Sequence, residues 1–185
     1  TPVEESMMRL DAAVKQGKAL YAGISNYDLE HTMQAMEILK ELKCPFVINQ
    51  IRYSILDRWI ENDGLKTFAN KSGCGLIAFS PLAQGLLSDR YLHGIRKSGR
   101  FLKESAVTKE RLEQLEALNE VAKERGQTLA QMALSWVLRD GDVTSVLIGA
   151  SKPEQIRENV KIVEKTEFSE EELRRIDELS KAVTK

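Results

Sequence analysis

The sequence predicts an α/β fold with a parallel sheet, on three observations. Continuous apolar runs at 19–24, 46–51, 75–79 and 145–149 predict short buried strands, and amphipathic stretches of helical spacing separate them. The first three runs begin about 28 residues apart. Strands that are apolar on both faces are typical of parallel sheets covered by helices. The residues alone leave two windings open: a βα repeat that closes on itself, and a doubly wound sheet.

Helix caps and apolar spacing predict the remaining elements. Thr1, Pro2 and Glu4 are the residue types preferred at the cap, the first and the third position of a helix, so the chain is predicted to open on one. Ser169 and Glu172 have the spacing of a capping box at the last helix. The other helices are predicted over 28–42, 64–70, 109–125, 128–139 and 152–163, and the last over 169–182. A long loop is predicted at about 85–107.

Composition excludes several classes of function. With 27 basic and 28 acidic residues the net charge is −1, which favours neither nucleic acid nor an anionic membrane. No apolar run reaches the roughly 20 residues of a membrane span. We therefore expect a cytoplasmic protein without a nucleic-acid or membrane partner. Cys44 and Cys74 are expected to be buried reduced thiols. Two cysteines outside a small secreted, disulfide-rich domain seldom form a structural disulfide.

Four ordered motifs lie where predicted strands end. They are GISN at 23–26, NQIRY at 49–53, FSPLAQGLL at 79–87 and GASKPEQIREN at 149–159. In this order the chain resembles the second half of an aldo-keto reductase, and is most similar to bacterial members related to voltage-gated potassium-channel β subunits. The resemblance covers nearly the whole chain. It implies one partial domain over 1–185, the carboxyl-terminal half (strands 5–8) of a (β/α)8 TIM barrel.

The resemblance also implies a reaction, the NADP-dependent reduction of aldehydes or ketones to alcohols by hydride transfer. The substrate would be a small carbonyl compound. The family's catalytic Asp, Tyr, Lys and His come from the first four strands, so no catalytic residue is expected in this chain, which alone should be inactive. Four strands cannot close a barrel, so the expected partner is a missing amino-terminal half. The alternatives are an NADP-binding, redox-sensing regulatory subunit and a self-associating half-barrel, a homo-oligomer without catalysis.

The nicotinamide end of the cofactor is expected at the first three strand ends. By resemblance, Ser25, Asn26 and Gln50 hold the carboxamide, and Phe79 stacks on the ring. Considered singly, the Ser-Asn pair would cap a helix, the glutamine would end a strand, and the phenylalanine would belong to the core. Only their order along the chain favours the cofactor.

The phosphates and the adenosine are expected at two later segments. By resemblance, the loop after the third strand lies along the pyrophosphate, with its amides as donors: Ser80, Pro81, Leu82, Ala83 and Gln84. Arg90 is expected to reach the same phosphates. In relatives a longer segment after the equivalent of Ile95 helps to cover the cofactor. This sequence is several residues shorter there, and Arg96 is a candidate to take over that role.

The last strand and the helix after it are expected to bind the adenosine end. The residues that carry this prediction are Gly149, Ala150, Ser151, Lys152, Gln155, Glu158 and Asn159. A helix amino terminus and the lysine charge favour the 2′-phosphate of NADP(H), with NAD(H) second. The last three side chains are expected to project from one helix face.

The end of the second strand supplies the candidates for a substrate pocket. They are Arg52, Tyr53 and Trp59, and the tryptophan is the preferred one. His31 and His93 are not expected to be catalytic, and no spacing of metal-binding residues is present.

Overall fold

The computed structural model describes residues 1–92 and 107–181. The strands are β1 (Ala22–Ser25), β2 (Phe46–Arg52), β3 (Gly75–Phe79) and β4 (Ser145–Val146). The helices are α1 (Val3–Lys15), α2 (Leu29–Glu41), α3 (Trp59–Asn62), α4 (Leu65–Ser72), α5 (Lys109–Glu124), α6 (Leu129–Leu138), α7 (Pro153–Val160) and α8 (Glu170–Lys181). Most of the predicted long loop, with His93, Ile95 and Arg96, lies outside the described residues.

The four strands form one parallel sheet in the order β1-β2-β3-β4. Each described strand therefore pairs with the next one along the chain. A doubly wound sheet reverses its strand order at a switch point, and the described strands contain no such reversal. The predicted α/β fold with a parallel sheet is confirmed.

Alternate residues of each strand face the helices. In β1 and β2, Ala22, Ile24, Asn49 and Ile51 are buried, whereas the other residues are exposed or half-buried. β3 repeats the pattern with Leu76 and Ala78 buried. Because side chains alternate across a strand, the sheet has one helix-covered face and one more open face.

Two apolar cores lie under the helices. The larger surrounds Trp136 of α6 and joins β2 and β3 to α4, α5, α6 and α8. The smaller packs Met7 of α1 and Leu39 of α2 against β1. Cys44 and Cys74 are buried in these two cores as free thiols, which confirms the prediction for both. Burial raises the pKa of each thiol, to about 11 for Cys74.

The open face of the sheet contains one large side chain between two glycines. Gly23, Ile48 and Gly75 are register partners across the first three strands. A Cβ added to Gly23 would lie 2.8 Å from Cγ1 of Ile48, and one added to Gly75 would lie 3.2 Å from its Cγ2. The isoleucine therefore fills the space above both neighbours, as large residues from alternate strands do inside a barrel.

Several predicted boundaries differ from the structure. The predicted strands 19–24 and 145–149 are observed as Ala22–Ser25 and Ser145–Val146, because each edge strand has one neighbour to pair with in the described chain. The predicted Thr1 cap is wrong: α1 begins at Val3, its cap position is Pro2, and no side chain caps it. The prediction of a capping box at the last helix is confirmed, since Ser169 and Glu172 each accept the other's backbone N–H.

Candidate functional site

The carboxyl ends of β1 and β2 are joined by side-chain and backbone bonds. Ser25, the last residue of β1, pairs with Gln50 in register. Its Oγ donates to the Gln50 carbonyl at 3.0 Å, and the N–H of Asn26 donates to the same oxygen at 2.9 Å. Asn26 has a φ of +55°, a conformation that few non-glycine residues adopt, and it lies at the edge where ligands bind in folds of this kind. The structure therefore brings these three predicted residues together.

Gln50 and Phe79 share the open face of the sheet. Gln50 pairs with Ile77, and the next pair on that face is Arg52 with Phe79. Both predicted side chains are half-buried. Within the described part of the chain the Gln50 amide group forms no hydrogen bond, so its donor and acceptor are available to a ligand. The site thus combines an available amide with an aromatic ring at the carboxyl edge of the sheet.

The loop after β3 has an unusual backbone. Ser80, Ala83 and Gln84 have φ values of +54°, +46° and +59°. Such conformations cost free energy in non-glycine residues and cluster at ligand sites. The amides of Ser80, Leu82 and Gln84 donate to no acceptor among the described residues, while that of Ala83 donates to Ser80 at 2.9 Å. Pro81 is buried beneath the loop. The loop therefore offers N–H groups that an anion can accept.

Arg90 lies against this loop. It belongs to a short 3₁₀ turn, Asp89–Tyr91, whose cap Ser88 accepts the Arg90 N–H at 3.4 Å. The Nη1 atom of Arg90 lies 3.8 Å from the point where a Cβ on Gly85 would stand. Because Gly85 leaves that space open, the guanidinium folds back beside the loop. The contact of Arg90 with a phosphate stays a prediction.

The predicted adenosine segment is exposed at its start. Gly149, Ala150, Ser151 and Lys152 are all exposed and precede α7. The Oε1 atom of Gln155 accepts the N–H of Ser151 at 2.8 Å and that of Lys152 at 3.2 Å. Gln155 therefore caps its own helix, which the ligand-binding prediction for it did not include.

Glu158 and Asn159 differ in burial. Glu158 is exposed, its carboxylate pairs with Lys161 at 2.7 Å, and its carbonyl accepts from Gln131 at 3.0 Å. Asn159 is only 9% exposed. Asn159 is thus buried, whereas Gln155 and Glu158 are exposed. That the three side chains project from one helix face towards the adenosine stays a prediction.

The substrate-pocket candidates after β2 divide between the two faces of the sheet. Tyr53 is fully buried on the helix side, so the expectation that it lines a pocket is wrong. Burial raises its pKa, and its hydroxyl donates to Glu61 and accepts from Arg139 at 3.1 Å. Arg52 faces the open side and forms an ion pair with Asp57, a partner that the sequence analysis missed. The Nε1 atom of Trp59 donates to the Arg52 carbonyl at 2.8 Å.

A cleft of about 580 Å³ lies beside Asn26, between the start of α1 and the start of α2. His31 lines it, with Nδ1 2.6 Å from Oδ1 of Asp28. Hydrogen bonds from the backbone and ring of His31 lower the pKa of Asp28. In the described part of the chain no group of three or more His, Cys, Asp or Glu side chains is arranged for a metal ion. Nor does any described helix have the length and apolarity needed to cross a membrane.

Comparisons with known proteins identify relatives of the whole chain. A family profile described as the aldo/keto reductase family matches residues 1–181. The L-glyceraldehyde 3-phosphate reductase of Escherichia coli K12 is 47% identical over 187 aligned residues, which cover 96% of this chain and 54% of the relative.

Two solved structures have the same arrangement. The glycerol dehydrogenase of Gluconobacter oxydans superposes with a TM-score of 0.78 at 26% identity, covering 100% of this chain and 56% of that one. A thermostable aldo-keto reductase crystallised with the inhibitor epalrestat gives a TM-score of 0.71 at 32% identity, with 97% and 55% covered. The chain thus spans about half the length of the relatives it matches.

Proposed function

The chain belongs to the aldo/keto reductase family, and from this membership we propose that it forms the carboxyl-terminal half, strands 5–8, of a (β/α)8 barrel reductase. The parallel order of the sheet and the Gly23-Ile48-Gly75 layer support a barrel interior on the open face. The edges of β1 and β4 then pair with an amino-terminal half. Apolar side chains exposed near both edges, among them Leu20, Tyr21 and Leu147, support such a contact.

The cofactor we propose is a nicotinamide dinucleotide. Its carboxamide is held by Ser25, Asn26 and Gln50, and Phe79 stacks on the ring. The observation that carries this assignment is the register alignment of Ser25 with Gln50 at the carboxyl edge of the sheet. Phe79 lies on the same face as Gln50, two residues beyond Ile77, the register partner of Gln50 in β3. When bound, the nicotinamide supplies the hydride that reduces a carbonyl to an alcohol. The side chains of this chain fix its orientation, and the proton donor is proposed to lie in the amino-terminal half.

For the phosphates we propose the loop after β3. The amides of Ser80, Leu82 and Gln84 donate to the pyrophosphate, and Arg90 adds its charge from beside the loop. Glu158 and the segment from Gly149 to Lys152 border the adenosine. The exposed Lys152 favours a 2′-phosphate, so NADP(H) is proposed over NAD(H). Asn159 supports this region from beneath, since its side chain is buried.

The substrate we propose is a small aldehyde. The reductase of L-glyceraldehyde 3-phosphate from Escherichia coli K12 is 47% identical to this chain, so a phosphorylated aldehyde is the first candidate. A cytoplasmic location is proposed with it, because such metabolites and reduced nicotinamide cofactors are soluble. Self-association of this chain through its open sheet edges is the competing proposal.

Cofactor binding tests the function. In the full-length polypeptide that contains this chain, Gln50→Ala should weaken NADPH about 3- to 10-fold in a fluorescence titration, the effect of losing one or two hydrogen bonds to the carboxamide. Gln16→Ala is the matched control, because Gln16 is an exposed glutamine at the carboxyl end of α1, whereas the amino end of α1 borders the cleft beside Asn26. Equal affinities in the two variants would contradict the nicotinamide site. Absence of NADPH binding to the unmodified protein would contradict the proposed function itself.

A further inference from the structure

Arg52 has a backbone fixed by three elements. It is the last residue of β2 and pairs in register with Phe79. Its N–H donates to Oδ1 of Asn26 at 3.1 Å, and its carbonyl accepts from Nε1 of Trp59 at 2.8 Å. Two of these partners, Asn26 and Phe79, belong to the proposed nicotinamide site. The side chain of Arg52 therefore starts from a defined point at the rim of that site, on the same face as Gln50.

Asp57 orients the guanidinium. The turn after β2 brings this residue back beside the strand, where Ser54 and Asp57 exchange two backbone hydrogen bonds of 3.0 and 3.1 Å. The Asp57 carboxylate then lies 2.5 Å from Nε of Arg52. Its side chain is 28% exposed and that of Arg52 is 61% exposed. The carboxylate thus engages the inner edge of the guanidinium and leaves the outer edge towards solvent.

The outer edge of the guanidinium is unused. Among the described residues, neither Nη1 nor Nη2 of Arg52 has a hydrogen-bond partner, although the two atoms together carry four N–H donors. Two half-buried arginines near the end of the same strand differ: Arg58 and Arg139 each use their Nη atoms on carboxylates. A planar pair of N–H donors is the arrangement that binds phosphate or carboxylate bidentately.

We propose that Arg52 is a specificity-determining residue that binds the anionic group of the substrate, the phosphate of a small phosphorylated aldehyde, through Nη1 and Nη2. The inference rests on the proposed reductase function and names the part of the site that selects the substrate. Asp57 is a positioning residue, because it holds the guanidinium through Nε without reaching the substrate. A structural role for the same ion pair, closing the turn after β2, would not distinguish charged from neutral substrates.

Steady-state kinetics with paired substrates test the proposal in the full-length polypeptide. Arg52→Met should lower kcat/KM for glyceraldehyde 3-phosphate about 10- to 100-fold and leave that for glyceraldehyde within about 2-fold, the range expected for charge-assisted hydrogen bonds. Arg52→Lys, which keeps the charge and loses the planar fork, should fall between. Arg174→Met is the matched control, since Arg174 is exposed on α8 and its ion-pair partners among the described residues are Glu171 and Glu178. It should change neither substrate.

A binding measurement separates this inference from the function on which it rests. Calorimetry with glycerol 3-phosphate and with glycerol requires no turnover, and Arg52→Met should abolish the preference for the phosphate while NADPH affinity stays unchanged. Equal losses for both aldehydes, or no preference for the phosphorylated ligand in the unmodified protein, would overturn the role of Arg52. Retained phosphate preference in a protein that reduces no aldehyde would keep the Arg52 site and refute the reductase function instead.

Discussion

Replacing Glu61 by alanine should destabilise the protein more than any exposed charge change. Glu61 in α3 accepts four hydrogen bonds: from the hydroxyl of Tyr53, from Nε and Nη2 of Arg58 at 2.8 and 2.6 Å, and from Nη2 of Arg139 at 3.1 Å. The two arginine side chains are 21% and 11% exposed. Both also lie over Trp136, with their guanidinium carbons 5.0 and 3.8 Å from the ring centroid.

The magnitude follows from what the substitution leaves unpaired. Arg58 keeps Asp177, 2.5 Å from its Nη1 atom. Arg139 keeps one carboxylate among the described residues, Asp140 at 3.9 Å, besides its hydrogen bonds to the Trp136 carbonyl at 2.7 Å and to the Tyr53 hydroxyl. The Tyr53 hydroxyl loses its acceptor while it remains buried. Removing one partner of a buried ion pair typically costs about 3–5 kcal/mol. Because some water reaches Arg58, we expect about 3 kcal/mol for Glu61→Ala.

Urea unfolding of the full-length polypeptide, followed by far-UV circular dichroism, measures this free energy. Glu124→Ala is the control: its carboxylate pairs with Arg175 at the surface, with exposed fractions of 58% and 33%, and such pairs contribute about 0–1 kcal/mol. If the two variants lost equal free energy of unfolding, the reasoning about the buried network would be refuted.

Two further predictions concern pH and packing. Burial raises the pKa of Glu61, but hydrogen bonds from Tyr53 and Arg58 outweigh burial, so the pKa is lowered overall. The wild type should therefore exceed Glu61→Gln in free energy of unfolding by the full amount above the ordinary glutamate pKa, and this difference should vanish as the pH falls through the folded-state pKa. Urea unfolding repeated across acidic pH measures the difference. Gly23→Ala should cost about 1–3 kcal/mol through the 2.8 Å contact with Ile48, and Ile48→Ala in the same chain should recover part of that loss in a double-mutant cycle; additive effects would contradict the contact.

The fold was predictable where local signals and pairing agree. The predicted bounds of β3, 75–79, equal those observed, because β2 pairs with this apolar run along its whole length. The edge strands β1 and β4 are shorter than predicted, because apolar sequence alone does not specify where a partner ends. Helix α3 was missed, since its four residues are held by contacts such as Glu61 with Arg139, 78 residues away, which no local pattern contains.

The site was predictable in position and less so in contacts. Strand ends in the sequence identified Ser25, Asn26 and Gln50, which the structure brings to one edge. A glutamine at the third position of a helix is a sequence signal for a cap, so the capping role of Gln155 could have been predicted. No sequence signal predicts the pairing of Arg52 with Asp57, because that pair depends on a turn closed by the bridge between Ser54 and Asp57.

The NQIRY segment shows how one strand serves two purposes. Its odd-numbered residues face the helices: Asn49 donates to the Tyr27 carbonyl at 2.9 Å and to Thr32 at 3.1 Å, and Tyr53 enters the Glu61 network. Its even-numbered residues, Gln50 and Arg52, face the open side, where we place the cofactor and the substrate anion. Because alternation forbids a residue from facing both sides, changes at 49 and 53 should act through stability and changes at 50 and 52 through ligand affinity. The hydrogen-bonded residues Asn49 and Tyr53 therefore flank the two proposed binding residues along the chain.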